Sequence, residues 1–253
     1  MRRGKTYYRI NAFVAKSLGI SRRKADSLLK TQPWRVRVNG HKFDGNLSLR
    51  IDPNKDEVLL DGNRLFLPTS RFIMLNKPRG YVTSVSDPYN KTVMDLLPKS
   101  LRSLKPIGRL DRNTRGLLLL TDDGRIIHPL LHPKYKIEKE YIVKVDGKLT
   151  DMELDRIRKG GIVVENKPSL PCQARLIKVG IEESEVRLTM VEGKKRQIRK
   201  MFAFIGHPVR DLIRIRFGPI KLGKLPEGKY RHLTKKEKEK LYSLVGIPLC
   251  SDT

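Results

Sequence analysis

Asp111 stands in Gly108-Arg109-Leu110-Asp111-Arg112-Asn113-Thr114-Arg115-Gly116, a polar segment bounded by glycines. Arg109, Arg112 and Arg115 all lie within four residues of it. Nearby positive charge favours a carboxylate over its acid. An ionised Asp in a loop suits nucleophilic attack or electrostatic stabilisation rather than proton donation. The plain alternative is a structural Asp that satisfies loop amides and arginines. Asp122-Asp123-Gly124 follows the run Leu117 to Leu120. With Asp111 it could gather a metal for phosphoryl chemistry. The simpler expectation is a turn whose Asp caps a helix carrying Ile126, Ile127, Leu130 and Leu131. His128 and His132 are spaced as zinc ligands can be, but no Glu lies between them and no third ligand is evident. Glu192-Gly193-Lys194-Lys195-Arg196-Gln197-Ile198-Arg199-Lys200-Met201 enters a helix with five basic residues, a surface suited to a polyanion.

These residues need elements to hold them. Phe72-Ile73-Met74-Leu75 reads as a strand that breaks at Lys77-Pro78-Arg79-Gly80. Leu117 to Leu120 reads as a buried strand holding the Asp111 loop rigid. Lys139 to Val145 and Glu185 to Met190 are further strands; the first alternates, with Tyr141, Val143 and Val145 on one face. Thr150 and Glu153 form a capping box before a helix that stops at Gly160-Gly161, and Thr234 and Glu237 form another. Residues 195–205 predict a helix with Ile198, Met201, Phe202 and Ile205 inward. Upstream, residues 9–30 predict two short helices. Ile10, Phe13, Val14 and Leu18 line one, and Ala25, Leu28 and Leu29 the other, capped by Ser21. Arg22, Arg23 and Lys24 crowd its first turn, against the preference of a helix N-terminus for negative charge. A docked phosphate would remove that conflict. Asn39-Gly40 and Asp61-Gly62 predict hairpins, the second joining Val58 to Leu60 with Leu65 to Leu67. Pro68-Thr69-Ser70 closes this part, so the boundary falls between domains 1–70 and 71–253. Strands and helices mix without a steady βαβ rhythm. The expected class is α+β: a small α/β N-terminal domain, then a mixed, mainly antiparallel sheet with flanking helices.

Composition narrows the function. Among 253 residues, 54 Lys and Arg face 27 Asp and Glu, a net charge of +27. Such an excess repels itself unless a polyanion neutralises it, and nucleic acid is the first candidate. No apolar run approaches the roughly 18–20 residues of a membrane helix, and no signal peptide follows the basic start. Cys172 and Cys250 make neither a disulfide framework nor a zinc motif, which fits a reducing cytoplasm.

Together the segments resemble a known family. Gly108 to Gly124, reading GRLDRNTRGLLLLTDDG, is similar to the catalytic motif of bacterial ribosomal-RNA pseudouridine synthases. Leu75 to Gly80 resembles that family's first motif, and Lys139-Glu140-Tyr141 and Glu192 to Met201 its later ones. Gly206 to Val209 and Arg214 to Pro219 extend the match. Ser21 to Asp26 resembles a small RNA-binding domain named after a ribosomal small-subunit protein. The resemblance covers roughly residues 9–245.

It implies an isomerase that cleaves the bond from ribose to uracil N1, rotates the base and rejoins it through C5, with no cofactor or metal. By carry-over Asp111 is the nucleophile, and Tyr141 stacks on the flipped base and helps move the sugar proton. Arg199 pairs with Asp111 and keeps it ionised, Leu222 floors the pocket, and Arg109 holds the nucleotide open. Lys77, Lys195, Arg196 and the Arg22, Arg23 and Lys24 turn are expected RNA contacts. The expected partner is ribosomal RNA or an assembly intermediate, the large subunit favoured over the small, for a monomeric enzyme. Base extrusion costs a few kcal/mol, and stacking on an aromatic contributes about 1–3 kcal/mol.

The chain departs from the family in places. Arg9-Ile10-Asn11-Ala12 lacks the usual Lys, a residue or more is inserted near Gln32-Pro33-Trp34, and Asp211 and Ile213 stand where basic residues are common. These changes bear on RNA placement and should slightly flatten the salt dependence of binding. The alternatives are a non-catalytic ribosome-assembly protein, a tRNA-directed synthase, and a metal nuclease built on Asp111, Asp122 and Asp123.

Overall fold

The computed structural model describes residues 7–53, 55–67 and 70–247. Met1 to Lys5, Pro68-Thr69 and Cys250 lie outside them. The chain forms two compact units, one within Met1–Ser70 (grouped with Gly246–Thr253) and one spanning Arg71–Val245.

The first unit runs β1 (Tyr8–Arg9), α1 (Ile10–Leu18), α2 (Arg22–Thr31), β2 (Val36–Val38), β3 (His41–Lys42), β4 (Arg50–Ile51), β5 (Val58–Leu60) and β6 (Asn63–Arg64). Ile10, Phe13, Val14, Ala25, Leu29, Val36, Ile51 and Val58 fuse into one core. Gly19 closes α1 in the left-handed conformation, and the Ser21 side chain caps α2. Strand order is β3-β2-β5-β6. Two expectations shift here. Leu18, placed in the apolar stripe, is exposed. The second hairpin's return strand is Asn63–Arg64 rather than Leu65 to Leu67. Its two-residue turn pairs Asn63 directly with Leu60, and the chain diverges after Leu65 bonds Val58.

The second unit runs β7 (Phe72–Lys77), β8 (Lys105–Pro106), β9 (Arg115–Thr121), α3 (Gly124–Leu131), β10 (Lys139–Asp146), α4 (Asp151–Lys159), β11 (Val163–Val164), β12 (Lys167–Pro168), β13 (Gln173–Val179), β14 (Glu183–Met190), α5 (Gln197–Phe204), β15 (Val209–Phe217), β16 (Ile220–Lys221), β17 (Tyr230–His232) and α6 (Lys235–Leu244). A nine-stranded sheet follows the order β13-β14-β10-β15-β9-β7-β17, with β16 beside β15 and β8 beside β9. Its pairings are antiparallel except β15 with β9, which is parallel. The α+β class with a mixed, mainly antiparallel sheet therefore holds. β7 and β9 are buried throughout or nearly so, which explains their unbroken apolar runs. β10 instead alternates, placing Tyr141, Val143 and Val145 inward against α4 and α5. Both predicted capping boxes form. α5 begins two residues later than expected, because Arg196 adopts a left-handed backbone (φ 53°) that no helix continues.

The parallel junction depends on one glycine. Gly116 has φ +101° and sits opposite Arg214. A Cβ there would lie 2.8 Å from both the Arg214 nitrogen and Ile213 Cγ1, and closer still to the Arg214 carbonyl oxygen. Backbone cannot yield as a flexible side chain does. Gly116→Ala is therefore expected to destabilise the fold by about 3 kcal/mol or more, read as the change in urea-unfolding free energy. A change below about 1 kcal/mol would mean the junction yields.

Candidate active site

β7 and β9 run side by side and leave together, so the Lys77-Pro78-Arg79-Gly80 turn meets the Asp111 loop. Lys77 is fully buried. Its ammonium donates to the carbonyls of Pro78 (3.0 Å), Asp111 (3.2 Å), Arg112 (3.1 Å) and Thr114 (2.8 Å). Burial pulls its pKa down to about 8, against the attraction of Asp111 and Glu227. Thr83 brackets Leu110: its hydroxyl donates to the Leu110 carbonyl (2.8 Å) and accepts from the Leu110 N–H (3.1 Å). Gly80 N–H donates to the Arg112 carbonyl (2.9 Å) and Thr114 N–H to that of Asp111 (2.9 Å). Arg199, on α5, donates to the Asn113 carbonyl (3.2 Å) and the Val209 carbonyl (3.0 Å). Every backbone carbonyl from Leu110 to Thr114 thus has a donor, and the loop is fixed from beneath.

The Asp111 carboxylate is treated differently. Among the described residues it has no hydrogen bond and no ion pair within 4 Å. Its backbone is pinned while its side chain stays available, in a cleft of about 920 Å³. The same cleft is lined by Arg109, Arg112, Thr114, Tyr141, Lys194, Lys195, Arg196 and Arg199. Leu110, Met190, Ile198 and Leu212 supply apolar wall, and Val82, Thr83, Ser84, Asp87 and Glu165 complete the rim. Tyr141 lines the cleft and is only 7% exposed. Arg109, Lys195 and Arg196 are exposed, and among the described residues their side chains have no hydrogen-bond or ion-pair partner. Lys194 is spent on structure: its ammonium donates to the Lys167 (3.2 Å) and Pro168 (2.6 Å) carbonyls of the β11–β12 hairpin. That hairpin turns through Glu165 and Asn166, both with positive φ, and Glu165 accepts from the Lys195 N–H at 3.2 Å. With Arg196, three non-glycine residues near the cleft hold left-handed backbones, a kind of strain that gathers at functional sites.

The structure thus brings Asp111, Tyr141, Arg199, Arg109, Lys195 and Arg196 into one cleft. Three expectations need correction. Lys77 is a buried anchor beneath the loop, not a surface for RNA. Leu222 is buried, its N–H donating to the Ile215 carbonyl, and Leu212 is among the residues lining the cleft. Arg199 makes no ion pair with Asp111. It holds the neighbouring Asn113 carbonyl and feels Asp111 through space, while burial lowers its own pKa. Arg115 turns away from Asp111 to Asp211 on β15, at 2.7 Å. Thr83, Glu165 and Leu212 also line the cleft, and of these only Thr83 lies close in sequence to another residue of the site region, Lys77.

The other candidates lie apart. Asp122 pairs with Arg71 (2.8 Å), and Asp123 is buried, capping α3 and accepting from the Tyr242 hydroxyl. Among the described residues no three His, Cys, Asp or Glu side chains gather as metal ligands would. Arg22, Arg23 and Lys24 are exposed on the first turn of α2, in the other unit.

Asp211 is nearly buried, with 11% of its side chain exposed, and is also held by Arg79 at 2.5 Å. Burial pushes its pKa up, but hydrogen bonds from Arg115 and Arg79 outweigh this and hold it at about 2. A carboxyl whose folded pKa is depressed stabilises above its unfolded pKa, and the benefit fades as pH falls through the folded value. The wild type should exceed Asp211→Asn by about 1–2 kcal/mol at pH 6. The gap should close between about pH 4 and pH 2 in urea titrations, and a pH-independent gap would contradict the assignment.

The cleft thus joins a pinned Asp and a nearly buried Tyr to a basic rim suited to an anionic substrate. Residues 71–204 match the model of the RNA pseudouridylate synthase family, and the chain belongs to that family. It is 37% identical over 241 residues to an uncharacterized RNA pseudouridine synthase of Aquifex aeolicus, covering 94% of this chain and 95% of that one. It is 36% identical to ribosomal large subunit pseudouridine synthase B of Bacillus subtilis (93% and 96% covered). To ribosomal small subunit pseudouridine synthase A of Escherichia coli it is 38% identical (90% and 97% covered). A crystal structure of a pseudouridylate synthase superposes with a TM-score of 0.65 at 32% identity, over 92% of this chain and 99% of that one.

Proposed function

We propose that this enzyme converts one specific uridine of ribosomal RNA to pseudouridine, with Asp111 as the nucleophile. The observation that carries the reading is the Asp111 carboxylate itself, unpaired above a loop whose every carbonyl is held. Asp111 attacks the ribose or the uracil ring of the extruded nucleotide. The bond from C1′ to N1 breaks, the base turns, C1′ bonds C5, and the bond to Asp111 breaks so that its carboxylate is freed. The C5 proton leaves and N1 gains one, so the reaction balances without a cofactor or metal. Tyr141 stacks on the extruded base, and Arg109, Lys195 and Arg196 meet the phosphates flanking it. The first unit adds a second RNA contact through Arg22, Arg23 and Lys24. Ribosomal RNA is favoured as substrate because relatives of nearly full length are named for acting on it. The enzyme acts as a monomer in the cytoplasm, where ribosomes assemble; no helix among the described residues is long and apolar enough to cross a membrane.

The test is tritium release. Ribosomal RNA from cells lacking this gene, labelled with tritium at uridine C5, should lose about one equivalent per molecule on incubation with the purified protein. Testing large- and small-subunit RNA separately names the target subunit. Release from transfer RNA alone would overturn the ribosomal assignment, and release from neither would leave a binding protein.

A further inference from the structure

Asp87 stands on the cleft rim among Arg109, Arg112, Lys195 and Arg196. A bare carboxylate there would repel an RNA phosphate. Its hydrogen bonds give it another task. Asp87 Oδ1 accepts from the Tyr89 N–H at 2.9 Å, the Asn90 N–H at 2.8 Å and the Asn90 side-chain amide at 3.0 Å. These bonds, that of Tyr89 foremost, hold its carboxyl below the usual carboxylate range, and Arg112 adds its attraction. Asp87 is thus committed to folding the Asp87-Pro88-Tyr89-Asn90 turn, in which Pro88 stiffens the backbone further.

The turn displays Tyr89, whose side chain stands 93% exposed. The loop beneath it is closed at its neck, where the Val82 N–H donates to the Lys91 carbonyl (2.9 Å) and the Val93 N–H to the Val82 carbonyl (3.0 Å). The start of the loop is tied to the Asp111 loop. Thr83 brackets Leu110, and Arg112 Nε donates to the Gly80 carbonyl at 3.2 Å. Val82, Thr83 and Ser84 line the cleft wall itself. Tyr89 is therefore carried on backbone bonded to the Asp111 loop, and its own N–H touches a residue of the rim.

We infer that Tyr89 is a stacking surface for an unpaired base adjacent to the target uridine in the RNA chain. This rests on the reading of the cleft as the place where the extruded uridine reacts. Extruding one nucleotide breaks the stack on both sides of it and leaves a neighbouring base with an uncovered face. An aromatic ring replaces the lost stack, and a ring on a rigid turn loses little freedom in doing so. Lys91, two residues on, is exposed and can meet the phosphate of that same nucleotide. The bound target thus has at least one unpaired neighbour.

The experiment compares wild type, Tyr89→Ala, Tyr89→Phe and Tyr89→Trp on ribosomal RNA from cells lacking this gene. Tyr89→Ala should raise KM about tenfold and leave kcat within about threefold. Tyr89→Phe and Tyr89→Trp keep a ring face and should rescue KM to within about threefold of wild type. The slope of log KM against log salt should not change in Tyr89→Ala, because no cation is lost. A KM within about twofold of wild type in Tyr89→Ala overturns the proposal. So does a Tyr89→Phe variant as weak as Tyr89→Ala, which would make the hydroxyl the contact. A KM rise that comes with a lowered urea-unfolding midpoint would make the role structural and also overturns it. Ultraviolet crosslinking needs no turnover. The wild-type protein irradiated on the same RNA and digested with nuclease should carry a nucleotide on Tyr89 by mass spectrometry, and an unmodified Tyr89 overturns the proposal. If the wild type forms no pseudouridine, the functional reading fails while the crosslink still decides whether Tyr89 stacks on RNA.

Discussion

Asp111→Asn is expected to lower pseudouridine formation by about 10⁴-fold or more while leaving the fold and RNA binding in place. The amide keeps the shape of the carboxylate and loses its nucleophilic charge. It should cost little stability, because the carboxylate has no hydrogen bond or ion pair among the described residues to lose. RNA affinity should hold or rise slightly, since one negative charge leaves a cleft lined by Arg109, Lys195, Arg196 and Arg199. Tritium release reads the rate, and fluorescence anisotropy at matched salt reads the binding. Turnover within tenfold of wild type would remove Asp111 from the mechanism. Loss of binding together with turnover would make it an RNA contact instead.

Lys77→Met should lower kcat about 10²-fold with RNA affinity almost unchanged. Lys77 is fully buried, so it offers nothing to a phosphate. Its ammonium instead ties four carbonyls, and among the described residues no other side chain donates to those of Pro78 and Thr114. Removing it frees the loop backbone, and a shift of about 1 Å at a reacting group costs roughly 10²-fold. Stability should fall by about 2–3 kcal/mol, the cost of buried acceptors left unpaired less the relief of no longer burying a charge. A large rise in the dissociation constant with kcat intact would restore Lys77 to the RNA-contacting surface.

Much of this architecture is legible in the chain. Glycine-bounded Asp111, the apolar run of β9, the alternation of β10 and the capping boxes of α4 and α6 are local signals, and the local physics decides them. The departures share one cause. Lys77 reads as a surface cation because lysine is almost never buried, and only the pairing of β7 with β9 puts carbonyls around it. Arg115 reads as a neighbour of Asp111 because they are four apart in sequence. The parallel contact of β15 with β9 brings Asp211, 96 residues away, closer still. Leu212 is one apolar residue among several in β15, and only its pairing within the sheet brings it to the cleft wall. Long-range pairing set these outcomes, and a single sequence does not display it.

The proposed reaction is one chemical event at one nucleotide. Carbodiimide treatment followed by primer extension maps pseudouridine across all ribosomal RNA, in cells with and without this gene. One modification should vanish with the gene, return with the wild-type copy and stay absent with Asp111→Asn. An identical map in both strains would contradict the assignment of ribosomal RNA, and restoration by Asp111→Asn would contradict the nucleophile.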